Sequence, residues 1–277
     1  MTDSDSVPAK SSHLYLSPHF DDAILSCGGV IARQTAAGER VVIANICAAA
    51  PDLSALSPFA RFQHDRWLDQ HPDADLPTLR RAEDAAACAA LGAEAVALSE
   101  LDCIYRRNAA GEWLYASEEA LWGQVHPDDD ATALAAALED LRDDLAPVAI
   151  YAPLAVGGHV DHQRVRAIAE GWVQEGWPVY FYEDYPYVEQ VENLWQALNR
   201  PAPGQWLRLP QPLEPEHVRA KIAAIAHYAS QNVVLFDQDM PARVQAQLAR
   251  TGAPGLAEVV WKISVAAPTL DNAKISG

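Results

Sequence analysis

Short, wholly apolar runs alternate along this chain with longer amphipathic segments, and that alternation limits the folds open to it. The runs at 14–17, 40–47, 95–98, 148–151 and 179–182 read as strands, with 259–265 as a last one. Between them, 24–37, 79–91, 131–145, 160–175 and 214–230 read as helices. Gly92 ends the second of these, and Asp130 stands where a helix N-cap would. Strands that are apolar on both faces belong to a parallel sheet covered by helices on each side. The expected fold is therefore α/β with a mostly parallel sheet, in one domain over 13–277 behind a flexible 1–12. Two stretches, 51–77 and 101–126, fit neither pattern. They read as loops over a site, with aromatics that include Trp67, Trp113 and Trp122.

Two of the strands end in residues that carry chemistry. After 14–17 and the strand-ending Ser17-Pro18 come His19, Phe20, Asp21 and Asp22. After 148–151 comes Gly157-Gly158-His159-Val160-Asp161-His162. Ligands of parallel sheets bind outside the carboxyl ends of the strands, so the two clusters are expected to converge. Zinc accepts histidine nitrogen and aspartate oxygen, and catalytic zinc sites use three protein ligands plus water. From a tight turn, His19 and Asp22 can reach one ion, with His162 as third ligand. Asp21 is then free to take a proton from water, and His159, if protonated, to stabilise an oxyanion. Gly157 and Gly158 let the backbone approach closely. These roles fit metal-assisted hydrolysis of an amide or ester, and ferrous iron suits the same donors. A second run, His126-Pro127-Asp128-Asp129-Asp130, has no buried strand before it and no glycines after it. It reads as a loop and helix cap, and His71-Pro72-Asp73 is similar.

Composition removes other classes. With 38 acidic and 20 basic residues, the formal net charge of −18 argues against a nucleic-acid or anionic-membrane partner. No apolar run approaches the length of a membrane span. Residues 1–12 are polar and acidic and lack the features of a signal peptide, so a cytoplasmic location is expected. Cys27, Cys47, Cys88 and Cys103 are widely spaced and read as small buried residues in a reducing compartment, not as a disulfide frame or a thiolate metal site.

Ser17-Pro18-His19-Phe20-Asp21-Asp22, followed by Leu25-Ser26-Cys27-Gly28-Gly29, together with Gly158-His159-Val160-Asp161-His162, resembles the PIG-L / LmbE-like family of zinc-dependent N-acetylglucosamine deacetylases. Leu79-Arg80-Arg81-Ala82-Glu83 resembles that family's arginine-rich helix, and Ala226-His227-Tyr228-Ala229-Ser230-Gln231 its C-terminal segment. The resemblance implies a Rossmann-like three-layer α/β sandwich that removes an acyl group from a small N-acetylated amino sugar. It implies His19, Asp22 and His162 as zinc ligands, Asp21 as general base and His159 as transition-state stabiliser. Arg80 and Asp102 fall where members contact substrate, and Tyr182 and Tyr185, after the next strand, are further candidates for substrate binding. Phe20 and Ala23 replace a proline and a glutamate of the usual motif, and Gly157 stands where members acting on sugar-inositol substrates carry a tyrosine. Alternatives are an amidase acting on a thiol-sugar or glycosylated natural-product conjugate, or a non-catalytic Rossmann-like module that binds a nucleotide or sugar. The chain contains no Gly-x-Gly-x-x-Gly, which weakens the nucleotide reading.

Overall fold

The computed structural model describes residues 11–68, 72–236 and 239–264. Its elements run β1 (Ser12–Ser17), α1 (Asp22–Ala36), β2 (Arg40–Asn45), α2 (Pro58–Trp67), α3 (Leu76–Leu91), β3 (Glu94–Ala97), α4 (Glu118–Leu121), α5 (Thr132–Leu145) and β4 (Ala149–Pro153). They continue with α6 (Val160–Gln174), β5 (Val179–Tyr182), α7 (Val191–Leu198), β6 (Gln205–Leu213), α8 (Pro215–Ile225), α9 (Ala229–Leu235), α10 (Met240–Ala249) and β7 (Leu256–Ser264).

The seven strands form one sheet in the order β3-β2-β1-β4-β5-β7-β6. The first five are parallel, and β7 runs antiparallel to both β5 and β6. All six residues of β1 are buried, as its uninterrupted apolar run requires of a central strand. Helices α1, α3 and α8 pack together over one face, and α5 and α6 lie against the other, giving three layers. This is the α/β architecture expected from the pattern of apolar runs.

The layers are close because of small residues and one buried ion pair. A Cβ on Gly29 would come within 2.4 Å of Leu213 Cδ1, so a larger residue there would have to displace the Leu213 side chain where α1 meets the end of β6. At that point Glu258 of β7 accepts the backbone N–H groups of Gly29 and Val30 at 2.9 and 2.8 Å and meets Lys221 Nζ of α8 at 2.6 Å. Glu258 and Lys221 are both 3% exposed, so a paired charge holds three elements together.

The structure differs from the sequence reading in several places, among them the helices α4, α7 and α10, which were not expected. The 51–77 stretch is not one loop. It contains α2, capped by Ser57 ahead of Pro58, and the first turn of α3, capped by Asp75 ahead of Pro77. The expected 214–230 helix is two, α8 and α9, with a break at Tyr228. Asp130 is not the N-cap of α5. Ala131 is, and Asp130 instead accepts Thr132 N and Oγ1 at 2.9 and 2.6 Å in the turn before it. The outer strand β6 was not expected, because Pro210 and Pro212 interrupt its pattern, and proline is tolerated there only because the strand is at the sheet edge. Residues 1–10, His71 and Val265 lie outside the described residues.

Candidate metal and catalytic site

From β1 the chain moves through β2 to β3, then returns to β4 on the other side of β1. The gap between β1 and β4 is thus the switch point of the sheet, where a crevice opens at the carboxyl ends. The register pairs His13 with Ala149 and Tyr15 with Tyr151, which brings the ends of these two strands side by side. His19 follows one, and His159, Asp161 and His162 follow the other. Cys47, Asp102 and Asp184 follow β2, β3 and β5, so all five parallel strands deliver a side chain to the same end of the sheet.

Two imidazoles there converge on one carboxylate. His19 Nδ1 lies 3.1 Å, and His162 Nε2 3.2 Å, from Asp22 Oδ2. Each ring is held by a second acid at its other nitrogen: Asp161 Oδ2 is 3.1 Å from His19 Nε2, and Asp184 Oδ1 is 2.6 Å from His162 Nδ1. A carboxylate on the far nitrogen fixes the ring and makes the near nitrogen a better ligand. Nitrogen–metal and oxygen–metal distances near 2.0–2.2 Å place tetrahedral ligands roughly 3.4 Å apart, close to the separations here. Burial alone would lower the His162 pKa, but Asp22 and Asp184 outweigh it and push it up to about 10. His19 is likewise pushed well up against its burial by Asp22 and Asp161. Burial would raise Asp22, yet His162 and His19 hold it well below the usual carboxylate range. A carboxylate and two ring nitrogens that favour a shared positive charge are a set that a divalent cation could occupy in place of protons.

Asp21 and His159 flank the three donors. Burial and the neighbouring Asp22 raise the Asp21 pKa, against the opposing pull of Arg80, whose Nη2 is 3.7 Å from Asp21 Oδ1. His159 is the N-cap of α6, and its Nδ1 accepts the Asp161 N–H at 3.3 Å. Burial, followed by the charge of His19, pushes its pKa down to about 3. With Nδ1 accepting the Asp161 N–H, a neutral ring carries its proton on Nε2. A ring nitrogen of His159 lies within 4.8 Å of ring nitrogens of both His19 and His162.

Above these groups is a cavity of about 270 Å³. One wall carries Arg80, stacked between Phe20 and Trp67 at 5.8 and 5.4 Å. Another is an aromatic column in which Tyr187 meets Trp122 edge-on at 5.0 Å, and Trp122 meets His159 at 5.1 Å. The column needs Gly157: its φ is +86°, and a Cβ there would come 3.1 Å from that of Tyr187. The lining also includes four carboxylates, Asp21, Asp22, Asp102 and Glu118.

A family model described as "PIG-L: GlcNAc-PI de-N-acetylase" matches residues 14–173, more than half of the chain. The chain belongs to the PIG-L family. Over 269 residues it is 26% identical to a 2'-N-acetylparomamine deacetylase of Niallia circulans, a match covering 91% of this chain and 90% of that one. A 2'-N-acetylparomamine deacetylase of Streptomyces fradiae is 32% identical over 179 residues, covering 64% of this chain and 58% of that one. Among solved structures, the zinc-inhibited form of teicoplanin deacetylase is similar with a TM-score of 0.78 at 26% identity, covering 93% of this chain and all (100%) of that one.

In this PIG-L chain His19, Asp21, Asp22, His159 and His162 are brought together, and Arg80 and Asp102 lie in the cavity wall beside them. Tyr182 does not join them. It is 0% exposed, and its hydroxyl donates to Leu16 O at 2.9 Å, so the expected substrate contact is replaced by a tie between β5 and β1. Tyr185 is buried but reaches the cavity wall. The His126–Asp130 run stays structural: Asp129 is buried and accepts the Tyr115 hydroxyl at 2.8 Å. The sequence reading gave no role to Asp161 or Arg106. Arg106 bonds Asp161 Oδ1 and lies 3.2 Å from Asp129, fixing the acid that fixes His19. Asp184 carried a signal, an acid two residues beyond a buried strand. Arg106, in an irregular stretch, carried none.

Proposed function

We propose that this chain is a metal-dependent deacetylase that hydrolyses the acetamido group of a small N-acetylated amino sugar, with zinc as the resident ion. The reading rests on one observation above all: His19 Nδ1 and His162 Nε2 face one Asp22 oxygen, while Asp161 and Asp184 occupy their far nitrogens. Two histidines and one carboxylate are a catalytic zinc donor set, and ferrous iron is the alternative occupant. When bound, the ion would polarise the acyl carbonyl and lower the pKa of a water molecule.

The chain's own groups account for the remaining steps. Asp21 takes the proton of the attacking water, a task suited to a carboxyl whose pKa burial has raised. It delivers that proton to the leaving nitrogen as the C–N bond breaks, giving a carboxylic acid and a free amine. His159 presents its Nε2–H to the oxyanion, and being neutral it gives up no proton in doing so. Trp122 and Tyr187 offer apolar faces to a sugar ring, and Arg80 and Asp102 offer polar contacts at its rim. The similarity to 2'-N-acetylparomamine deacetylases supports an aminocyclitol-linked amino sugar, and that to teicoplanin deacetylase supports a larger glycosylated natural product.

The test is elemental analysis of the purified protein beside acetate release from 2'-N-acetylparomamine, free N-acetylglucosamine and an N-acetylglucosaminyl glycopeptide. About one zinc or iron per chain is expected, lost in the His19→Ala/Asp22→Ala double variant together with activity. Asp21→Asn is expected to retain metal and lose roughly 10²–10⁴-fold in turnover. A wild-type protein that takes up no metal when zinc is supplied, or an Asp21→Asn variant of undiminished turnover, would refute this mechanism.

A further inference from the structure

We propose that Cys47, His19 and Asp161 form a second metal site behind the catalytic centre, at which thiophilic divalent ions inhibit the enzyme. His19 has two working sides. Its Nδ1 faces Asp22 and the centre described above. Its Nε2 faces Asp161 Oδ2 at 3.1 Å and Asp102 Oδ2 at 3.6 Å. A thiol is close by: Cys47 Sγ, a ring nitrogen of His19 and an oxygen of Asp161, the acid on the Nε2 side, all lie within 4.8 Å of one another. Zinc–sulfur distances near 2.3 Å and zinc–nitrogen distances near 2.0–2.1 Å put such ligands roughly 3.5 Å apart, so closure needs movements of about 1 Å at most.

The donor set decides which ions enter. A thiolate beside an imidazole and a carboxylate selects zinc and cadmium over magnesium, calcium or manganese. Binding to the holoenzyme releases two protons to solvent, that of the Cys47 thiol and that of His19 Nε2, and leaves the ring as an imidazolate shared by both positions. The cysteines had been read as inert packing, and Cys103 fits that description: it is 0% exposed, and its N–H bonds the same Asp161 oxygen at 3.2 Å. Cys103 also has a donor group with His159 and Asp161, but it is sealed. Cys47 is part-buried over the whole residue though its thiol is enclosed, and a cavity of about 40 Å³ is lined by its neighbour Ala48 and by Asp102. The Arg106 guanidinium bonded to Asp161 Oδ1 opposes an added cation. The site is therefore weaker than the catalytic one and fills only in metal excess. An ion there takes Asp161 away from His19 and claims the ring from behind, which disables the ligand that both positions share.

Only the inhibitory consequence rests on the deacetylase reading; the binding does not. The holoenzyme is titrated with cadmium chloride while the ultraviolet thiolate-to-cadmium band, the total metal per chain and acetate release are followed. The expected result is one further equivalent of metal, a thiolate band and loss of turnover. Cys47→Ser should abolish the band and the extra equivalent, leave basal turnover unchanged and weaken inhibition by at least about tenfold. Cys103→Ala should retain both band and equivalent. Cys47→Ala is read in the same way if the serine variant does not fold. A band and extra equivalent that survive in the Cys47 variants overturn the proposal. So does cadmium that merely exchanges with the resident ion and gives no thiolate band.

Discussion

At the scale of single residues, what each histidine does is set by the partner on its far nitrogen. Asp184 leaves His162 Nε2 as the free end, and the Asp161 backbone N–H leaves His159 Nε2 with the proton. Asp184→Asn should therefore lower metal affinity by roughly 10–100-fold while near-ultraviolet circular dichroism stays unchanged. A chelator competition assay that finds equal affinity would remove Asp184 from this role. The histidines and the Asp-Asp pair could be picked out in the sequence because their spacing is short and they follow a strand. Asp161 and Asp184 had no assigned task there, because nothing local tells which nitrogen of a histidine is spare. A different acid governs pH behaviour. Asp84 is 3% exposed, and burial is the main reason its pKa is raised to about 6; Asn45 and Tyr228 hydrogen bonds oppose the shift. A carboxyl raised on folding contributes stability in full below its unfolded value near 4, and that contribution is lost as pH rises through about 6. The loss is about 3 kcal/mol. Asp84→Asn mimics the protonated acid, so the fall in unfolding free energy between pH 4 and 7.5 should be about 3 kcal/mol smaller in the variant than in the wild type.

At the scale of elements, the apolar strands and the long helices were readable because burial on one or both faces writes a period into the sequence. What was not readable needed a partner to make sense. Helix α9 separates from α8 because the Tyr228 hydroxyl lies 3.0 Å from both Phe20 O and Asp84, a contact made across nearly the whole chain. Strand β6 pairs along its length with β7, and only that antiparallel pairing makes its prolines acceptable. The α1–α8–β7 junction is the least expendable of these contacts. Lys221→Met leaves Glu258 charged and buried with only two backbone donors, and should cost about 3–5 kcal/mol in chemical denaturation. The double change Lys221→Met/Glu258→Leu should recover part of that loss. If the single variant unfolds at the wild-type midpoint, the pair is not what holds the layers.

At the scale of the whole molecule, the sheet and the cavity are made by different parts of the chain. The residues of the proposed metal centre come from strand ends, whereas Trp67 ends α2 and Trp122 directly follows α4, each in an excursion between strands. Substrate preference can therefore change in those excursions while the centre stays fixed. The formal charge of −18 adds a field that attracts amines. For a substrate that already carries ammonium groups, kcat/KM should fall as salt rises, and for a neutral N-acetyl sugar it should not.

Those four acids in the lining also bear on what happens after the amide is cut. Hydrolysis of a neutral acetamide yields an amine that takes up a proton at neutral pH, so each catalytic cycle creates a cation among Asp21, Asp22, Asp102 and Glu118. With Asp22 given to the proposed metal ion and Asp21 beside Arg80, Asp102 and Glu118 are the acids left to face the new cation, and the spent sugar is expected to be held more tightly than the fresh one. Departure of the amine, not bond cleavage, then sets the pace at low ionic strength. A pre-steady-state burst of acetate that shrinks as salt is added would be the kinetic sign of that tighter hold.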